Sequence, residues 1–180
     1  PIRVEGLENL PQGEPLLLCP NHSSNWDPIL LMCALGRSVN LRIMGKNQLF
    51  KIPILRTFLR KMGVFPVDRG HSDIGAVKTS IQALRDGDLL MVFPEGTRVR
   101  EKNQGVRPKG GVAMMAIRGG AKLMPIYIGT KKRLFAPVSI IFGKPFAPEY
   151  TGRKGTAEEY QANADKVMRQ AYALGGEAWT

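Results

Sequence analysis

The chain has 180 residues, a mean hydropathy of −0.15 and a formal net charge of +11. That length gives one domain with a sizeable core, while the longest aliphatic run, residues 28–35, falls far short of the roughly 20 needed to span a bilayer, and no secretory signal is legible. Two cysteines, Cys19 and Cys33, are too few for a disulfide framework, and in their apolar contexts they read as buried thiols of a reducing compartment.

In chain order, short apolar runs alternate with helical patterns. Strands are predicted at 16–19, 41–44, 64–67, 89–93, 123–128 and 138–142. Helices are predicted at 28–35, 53–61, 74–85, 111–118 and 157–174. Pro53 bars one unbroken helix over 48–62 and suits the first position of a helix that begins there. In the third helix Ile74, Val77, Ile81 and Leu84 keep helical spacing, Ser72 or Asp73 caps its start, and Asp86-Gly87-Asp88 ends it. The last helix opens on Thr156 and Glu159, a capping box. This alternation implies a single-domain α/β sandwich over residues 1–180, with a largely parallel mixed sheet flanked by helices. No repeat or interdomain linker interrupts it, and the Gly- and Lys-rich stretch 100–111 reads as a flap or rim.

The polar turn at 21–28, Asn-His-Ser-Ser-Asn-Trp-Asp-Pro, follows the first of these strands directly. It sets His22 five positions before Asp27, the pattern of a base and its orienting acid. Imidazole, with an ordinary pKa of about 6.5, is suited to take a proton from a hydroxyl near neutral pH. A carboxylate on one ring nitrogen fixes the tautomer and leaves the other nitrogen free, as in the His-Asp half of a hydrolase triad. No G-x-S-x-G elbow accompanies it, so the alcohol to be activated arrives on a substrate. The spacing fits a structural role equally, with His22 capping a turn and Asp27-Pro28 opening a helix.

A second polar segment ends the strand predicted at 89–93. Glu95, Gly96, Thr97 and Arg98 bring a carboxylate, a flexible backbone, a hydroxyl and a guanidinium together at a strand end, where α/β sheets place their sites. Arg98 can grip a phosphate in a bidentate fork, Gly96 permits close backbone approach, and Thr97 adds donors. Glu95 is expected to orient Arg98 or a substrate hydroxyl. Taken alone, the segment also reads as a loop ion pair.

Four ordered blocks carry a family resemblance: NHSSNWDP at 21–28, GVFPVDRG at 63–70, FPEGTR at 93–98 and LMPIYIG at 123–129. Through them the chain resembles the lysophosphatidate acyltransferases of the glycerolipid acyltransferase family, over most of its length from about residue 4 to 145. The resemblance implies a glycerol-3-phosphate acyltransferase-like fold and transfer of a fatty acyl group from an acyl-CoA or acyl carrier protein thioester to the free hydroxyl of a lysophospholipid. It implies His22 as general base, Asp27 as its partner, Arg69 and Arg98 as phosphate contacts, and Glu95, Gly96 and Thr97 as the floor of the acceptor site. Pro125 would shape the acyl-donor side. Val99 stands where the family usually has Ser, and Pro108-Lys109-Gly110 where it usually has two lysines before glycine; Lys109 keeps one positive charge there. The family's N-terminal membrane-associating helices have no counterpart in this sequence.

Charge and chemistry set the expected partners. Between Asp27 and Asp68 no acid occurs, while Arg37, Arg42, Lys46, Lys51, Arg56, Arg60 and Lys61 accumulate. Such a stretch seeks polyanions. Its interleaved Phe50, Ile52, Ile54, Phe58 and Leu59 fit an anionic membrane surface better than nucleic acid, although a helix buried on one side has the same pattern. The expected setting is therefore the cytoplasmic face of the cell membrane, held peripherally, with lysophosphatidate and an acyl thioester as substrates and no nucleic-acid partner. No metal or other cofactor is expected: a thioester needs no metal activation, and His71 lies in a Gly-Ser turn without ligand spacing. Acylation of lysophosphatidate to phosphatidate is the first functional expectation. Acylation of another lysolipid, and a non-enzymatic basic module binding membrane or nucleic acid, are the alternatives.

Overall fold

The computed structural model describes residues 1–36, 39–67, 73–99, 105–130 and 136–179. The strands are β1 (Ile2–Glu5), β2 (Leu16–Pro20), β3 (Leu41–Lys46), β4 (Val64–Val67), β5 (Leu89–Met91), β6 (Lys122–Ile128) and β7 (Val138–Phe142). The helices are α1 (Asp27–Leu35), α2 (Pro53–Lys61), α3 (Ile74–Arg85), α4 (Gly111–Gly119) and α5 (Ala157–Leu174), with short 3-10 turns at Leu7–Asn9 and Asn47–Lys51.

All seven strands form one sheet in the order β1-β7-β6-β2-β5-β3-β4. From β6 to β4 every pairing is parallel; β7 runs antiparallel to β6, and β1 is parallel to β7. Five strands therefore deliver their carboxyl ends to one edge, and β1 and β7, together at one side of the sheet, run the other way. The central strand β2 is a continuous apolar run because both of its faces are covered. Leu17 and Cys19 enter the core layer beneath α3, α4 and α5, with Leu84, Val112, Met115, Val167 and Tyr172. Leu16 and Leu18 point to the opposite layer, with Leu31, Leu35, Ile43, Phe50 and Ile126. Leu16, Leu17 and Leu18 are fully buried, each worth about 1.5–3 kcal/mol of transfer free energy.

Local signals set the helix ends. The Asp73 side chain accepts the Ala76 N–H at 2.8 Å at the start of α3. At α5 the Thr156 hydroxyl accepts the Glu159 amide at 3.2 Å and Glu159 accepts the Thr156 amide at 2.8 Å, the expected reciprocal cap. Gly63 turns α2 into β4 at a φ of 75°, and a Cβ there would lie 2.0 Å from the Leu41 carbonyl oxygen, so only glycine fits.

Three details depart from expectation. β1 pairs at the sheet edge although its sequence, Ile-Arg-Val-Glu, shows no apolar run. β5 stops at Met91, leaving Val92 and Phe93 to enter the following loop. Cys19 is buried as expected, but Cys33 is exposed, because α1 turns Leu31 and Leu35 inward and position 33 away from them. No helix among the described residues is long and apolar enough to cross a membrane.

Candidate active site

The carboxyl ends of adjacent strands β2 and β5 carry the two polar loops, so residues 73 positions apart in sequence become neighbours. Asn21 ends β2 by extending its ladder with a side chain: its Nδ2 donates to the Ile128 carbonyl at 3.0 Å and its Oδ1 accepts the Ile128 amide at 2.6 Å. The loop then reverses, and Asp27 enters the first turn of α1 fully buried. Its Oδ2 accepts the Ser23 and Ser24 amides, each at 2.7 Å, and lies 3.0 Å from His22 Nδ1. A carboxylate oxygen held by two N–H donors faces Nδ1 as an acceptor, so Nδ1 carries the proton and Nε2 keeps its basic lone pair. The two readings of the motif merge here: Asp27 opens the helix, as a cap residue would, and also orients the imidazole.

The second loop fixes the first from below. The His22 amide donates to Glu95 Oε2 at 3.1 Å, and the Val99 amide donates to the His22 carbonyl at 2.7 Å. The Phe93 ring lies against the His22 imidazole with centroids 4.1 Å apart and planes tilted by 32°. Glu95 Oε1 accepts the Tyr172 hydroxyl, from α5, at 2.7 Å. The Glu95 carboxylate thus holds the main chain of His22. Burial pushes its pKa up to about 7; the Tyr172 and His22 hydrogen bonds pull it down, and the Asp27 charge adds to the rise. Burial also raises the Tyr172 phenol, helped by the neighbouring Glu95 charge.

Gly96 turns the loop at a φ of +66°, with its amide on the Phe93 carbonyl at 3.0 Å. A Cβ there would sit 3.2 Å from Lys109 Cε and 3.5 Å from its Nζ. Lys109 is tied back to this loop by its amide on the Pro94 carbonyl at 2.8 Å. Thr97 is exposed and Arg98 half-buried on the same loop. A cleft of about 220 Å³ opens alongside, lined by Met44, Val77, Val92, Phe93, Gly96 and Lys109 among others, so it offers apolar walls with an ammonium at the rim. Pro125 is buried in β6, where Gly143 packs against it.

Of the expected site residues, His22, Asp27, Glu95, Gly96, Thr97, Arg98 and Lys109 gather at this edge. Arg69 and His71 lie outside the described residues. Among the described residues no group of three or more His, Cys, Asp or Glu side chains is placed to hold a metal ion. Asn21, Phe93 and Tyr172 are additions. Asn21 and Phe93 stand inside the two motifs, but only the fold shows what they touch; Tyr172 gives no local signal at all.

A buried His-Asp pair with a fixed imidazole orientation thus stands at the carboxyl edge of a largely parallel sheet, in contact with Phe93, which lines the cleft, and comparisons with known proteins give the class. A family profile described as Acyltransferase matches residues 1–129, and the chain belongs to this acyltransferase family. It is 33% identical over 149 residues to the 1-acyl-sn-glycerol-3-phosphate acyltransferase of Bacillus subtilis, covering 80% of this chain and 73% of that one. It is 34% identical over 134 residues to the chloroplastic 1-acyl-sn-glycerol-3-phosphate acyltransferase LPAT1 of Arabidopsis thaliana, covering 73% of this chain and 37% of that one. The crystal structure of the 1-acyl-sn-glycerophosphate (LPA) acyltransferase PlsC from Thermotoga maritima superimposes with a TM-score of 0.72 at 26% identity, over 99% of this chain and 73% of that one.

Proposed function

We propose that the chain transfers a fatty acyl group from an acyl thioester to the free hydroxyl of 1-acyl-glycerol-3-phosphate, forming phosphatidate for phospholipid synthesis. The observation that carries this reading is the 3.0 Å contact between His22 Nδ1 and the fully buried Asp27 carboxylate, which leaves Nε2 as the basic nitrogen. His22 Nε2 removes the acceptor hydroxyl proton as that oxygen attacks the thioester carbonyl. The tetrahedral intermediate collapses with loss of the C–S bond, and the imidazolium returns its proton to the leaving thiolate. Asp27 stabilises the imidazolium formed between these steps. Arg69, Arg98 and Lys109 hold the acceptor phosphate, and Gly96 and Thr97 form the floor beside it.

Coenzyme A and acyl carrier protein both present the same phosphopantetheine thioester, so either serves as donor, and no further cofactor or metal enters the reaction. The substrates are lipids, which places the protein peripherally on an anionic membrane at the cytoplasmic face, with no nucleic acid involved. Free-thiol release from a long-chain acyl-CoA, with and without lysophosphatidate, is the test. Acceptor-dependent release that disappears in a folded His22→Ala protein supports the reading; release independent of acceptor, or retained in His22→Ala, defeats it. Arg98→Ala is expected to raise the acceptor KM and leave that of the donor unchanged.

A further inference from the structure

A second cavity, of about 420 Å³, lies away from the His-Asp pair, and charged groups of both signs line it. Arg42 of β3, Lys78, Thr79 and Gln82 of α3, and Asp86 and Asp88 of the turn before β5 supply its polar walls. Arg42 is the second residue of β3 and Asp88 immediately precedes β5, so the cavity sits toward the amino ends of the parallel strands. His22 and Glu95 stand at the other edge. The volume is in the range of small-molecule sites.

Arg42 is the residue that calls for a partner. Ile43 enters the opposite core layer, so strand alternation turns Arg42 toward α3, as it does Met44. The guanidinium lies 5.7 Å from the centroid of the Phe65 ring, and Arg42 Nε is buried without a hydrogen-bond partner. Buried donors are seldom left unpaired in folded proteins. Among the described residues no carboxylate forms a salt bridge with Arg42 or Lys78, although Asp86 and Asp88 line the same cavity.

The charges are sorted along the cavity. Lys78, Gln82 and Asp86 follow one another at four-residue intervals on one stripe of α3, about 12 Å from the first to the last. Gln82 Nε2 donates to Asp86 Oδ1 at 2.8 Å and holds that carboxylate at the helix end. There the partial negative charge of the α3 carboxyl terminus adds to Asp86 and Asp88. Arg42 pairs in register with Leu90, two residues beyond Asp88, and so stands inward of the acids, on the Lys78 side. A simple anion would meet the two carboxylates, and a simple cation would meet the guanidinium and ammonium. A ligand with both charges meets each with its opposite. A phosphate monoester, with a charge near −2, matches two cations and the fork of a guanidinium.

We propose that this cavity binds a short aminoalkyl phosphate, its phosphate on Arg42 and Lys78 and its ammonium on Asp86 and Asp88. The test reads binding and needs no acyl transfer. Phosphoethanolamine is titrated into the whole chain and followed by calorimetry and by backbone amide NMR. Arg98→Ala is the background, because Arg98 is assigned to the acceptor phosphate in the cleft. Saturable binding with amide shifts along residues 78–88 is expected. Inorganic phosphate alone and ethanolamine alone should each bind about tenfold more weakly or worse. The same loss is expected for Lys78→Ala, for Arg42→Gln, and for Asp86→Asn with Asp88→Asn, where asparagine keeps the acceptor that Gln82 uses.

Lys78 is exposed, so Lys78→Ala should keep the unfolding midpoint and decides the matter even where Arg42→Gln does not fold. No saturable binding, inorganic phosphate binding as tightly as phosphoethanolamine, binding undiminished in Lys78→Ala, or shifts confined to Gly96 and Lys109 would overturn the proposal. Glycerophosphoethanolamine, a diester, distinguishes the source of the ligand. Tighter binding of the diester supports the site as one for a phospholipid headgroup, and tighter binding of phosphoethanolamine supports it as one for the free phosphate monoester.

Discussion

Tyr172 on the last helix donates its hydroxyl to Glu95 Oε1 at 2.7 Å, while Glu95 Oε2 receives the His22 amide at 3.1 Å. One carboxylate thereby couples α5 to the main chain of His22, 150 residues earlier in sequence.

Removing only the hydroxyl tests this coupling. Tyr172→Phe keeps the ring in its core layer but takes away a hydrogen bond that lowers the Glu95 pKa, so the Glu95 titration should move up from about 7. Loss of a hydrogen bond to a charged group costs about 1.5–3 kcal/mol. Denaturant melts at pH 8 measure the cost, and the pH–kcat profile should shift upward on its acid side; an unchanged profile would reduce Tyr172 to a packing residue.

Glu95 itself makes stability depend on pH in a defined direction. Its folded pKa of about 7 stands above the ordinary value of 4.5, so between these the folded protein binds more protons than the unfolded chain. Its contribution is then greatest below pH 4.5 and declines as pH rises through 7, by on the order of 3 kcal/mol in total. Glu95→Gln can accept the His22 amide with its oxygen and donate to the Tyr172 oxygen with its NH₂ group. Across that pH range the variant should gain stability relative to wild type by this amount, read from denaturation midpoints at pH 4.5 and 8.

Asp27→Asn keeps the shape of the side chain and removes the charge that meets three donors at one oxygen. The amide can satisfy them only in part and no longer stabilises an imidazolium. In the thiol-release assay kcat is expected to fall by about 10²–10⁴-fold. Wild-type turnover in this variant would remove Asp27 from the pair.

Much of this arrangement is written in local sequence. Apolar runs of strand length gave six of the seven strands, because β2 and β6 are buried on both faces and leave unbroken signals. β1 escaped because a sheet edge tolerates Arg3 and Glu5 facing water, and its parallel pairing with β7 spans more than 130 residues. His22, Asp27 and the loop from Glu95 to Arg98 are visible because the chemistry demands polar residues next to strand ends. Tyr172 is hidden because in sequence it is one more apolar position on an amphipathic helix, and only the packing of α5 beneath β2 and β6 aims its hydroxyl at Glu95.

Gly96→Ala places a side chain at a φ of +66° and within 3.2 Å of Lys109 Cε. The left-handed conformation alone costs about 1–2 kcal/mol, a drop in Tm of several degrees for a domain of this size. Lys109 must also give way, so the acceptor KM should rise more than the donor KM in steady-state assays.

Asn21→Ala strips both partners from the main chain of Ile128, which are held at 3.0 and 2.6 Å. Two buried backbone groups left unpaired cost about 2–4 kcal/mol together. Calorimetry should show a lowered Tm. Hydrogen exchange should show faster opening at the carboxyl ends of β2 and β6, with the His22 loop loosened as a consequence.

The clamp from Tyr172 also bears on how the protein is made. During synthesis the ribosome releases His22 and Asp27 early, yet β2 must wait for β5 and β6, and Glu95 for α5, before the loops can lock together. A nascent chain therefore carries His22 and Asp27 long before their loop can be held in register, and the clamp closes only once the helix that bears Tyr172 has emerged and docked.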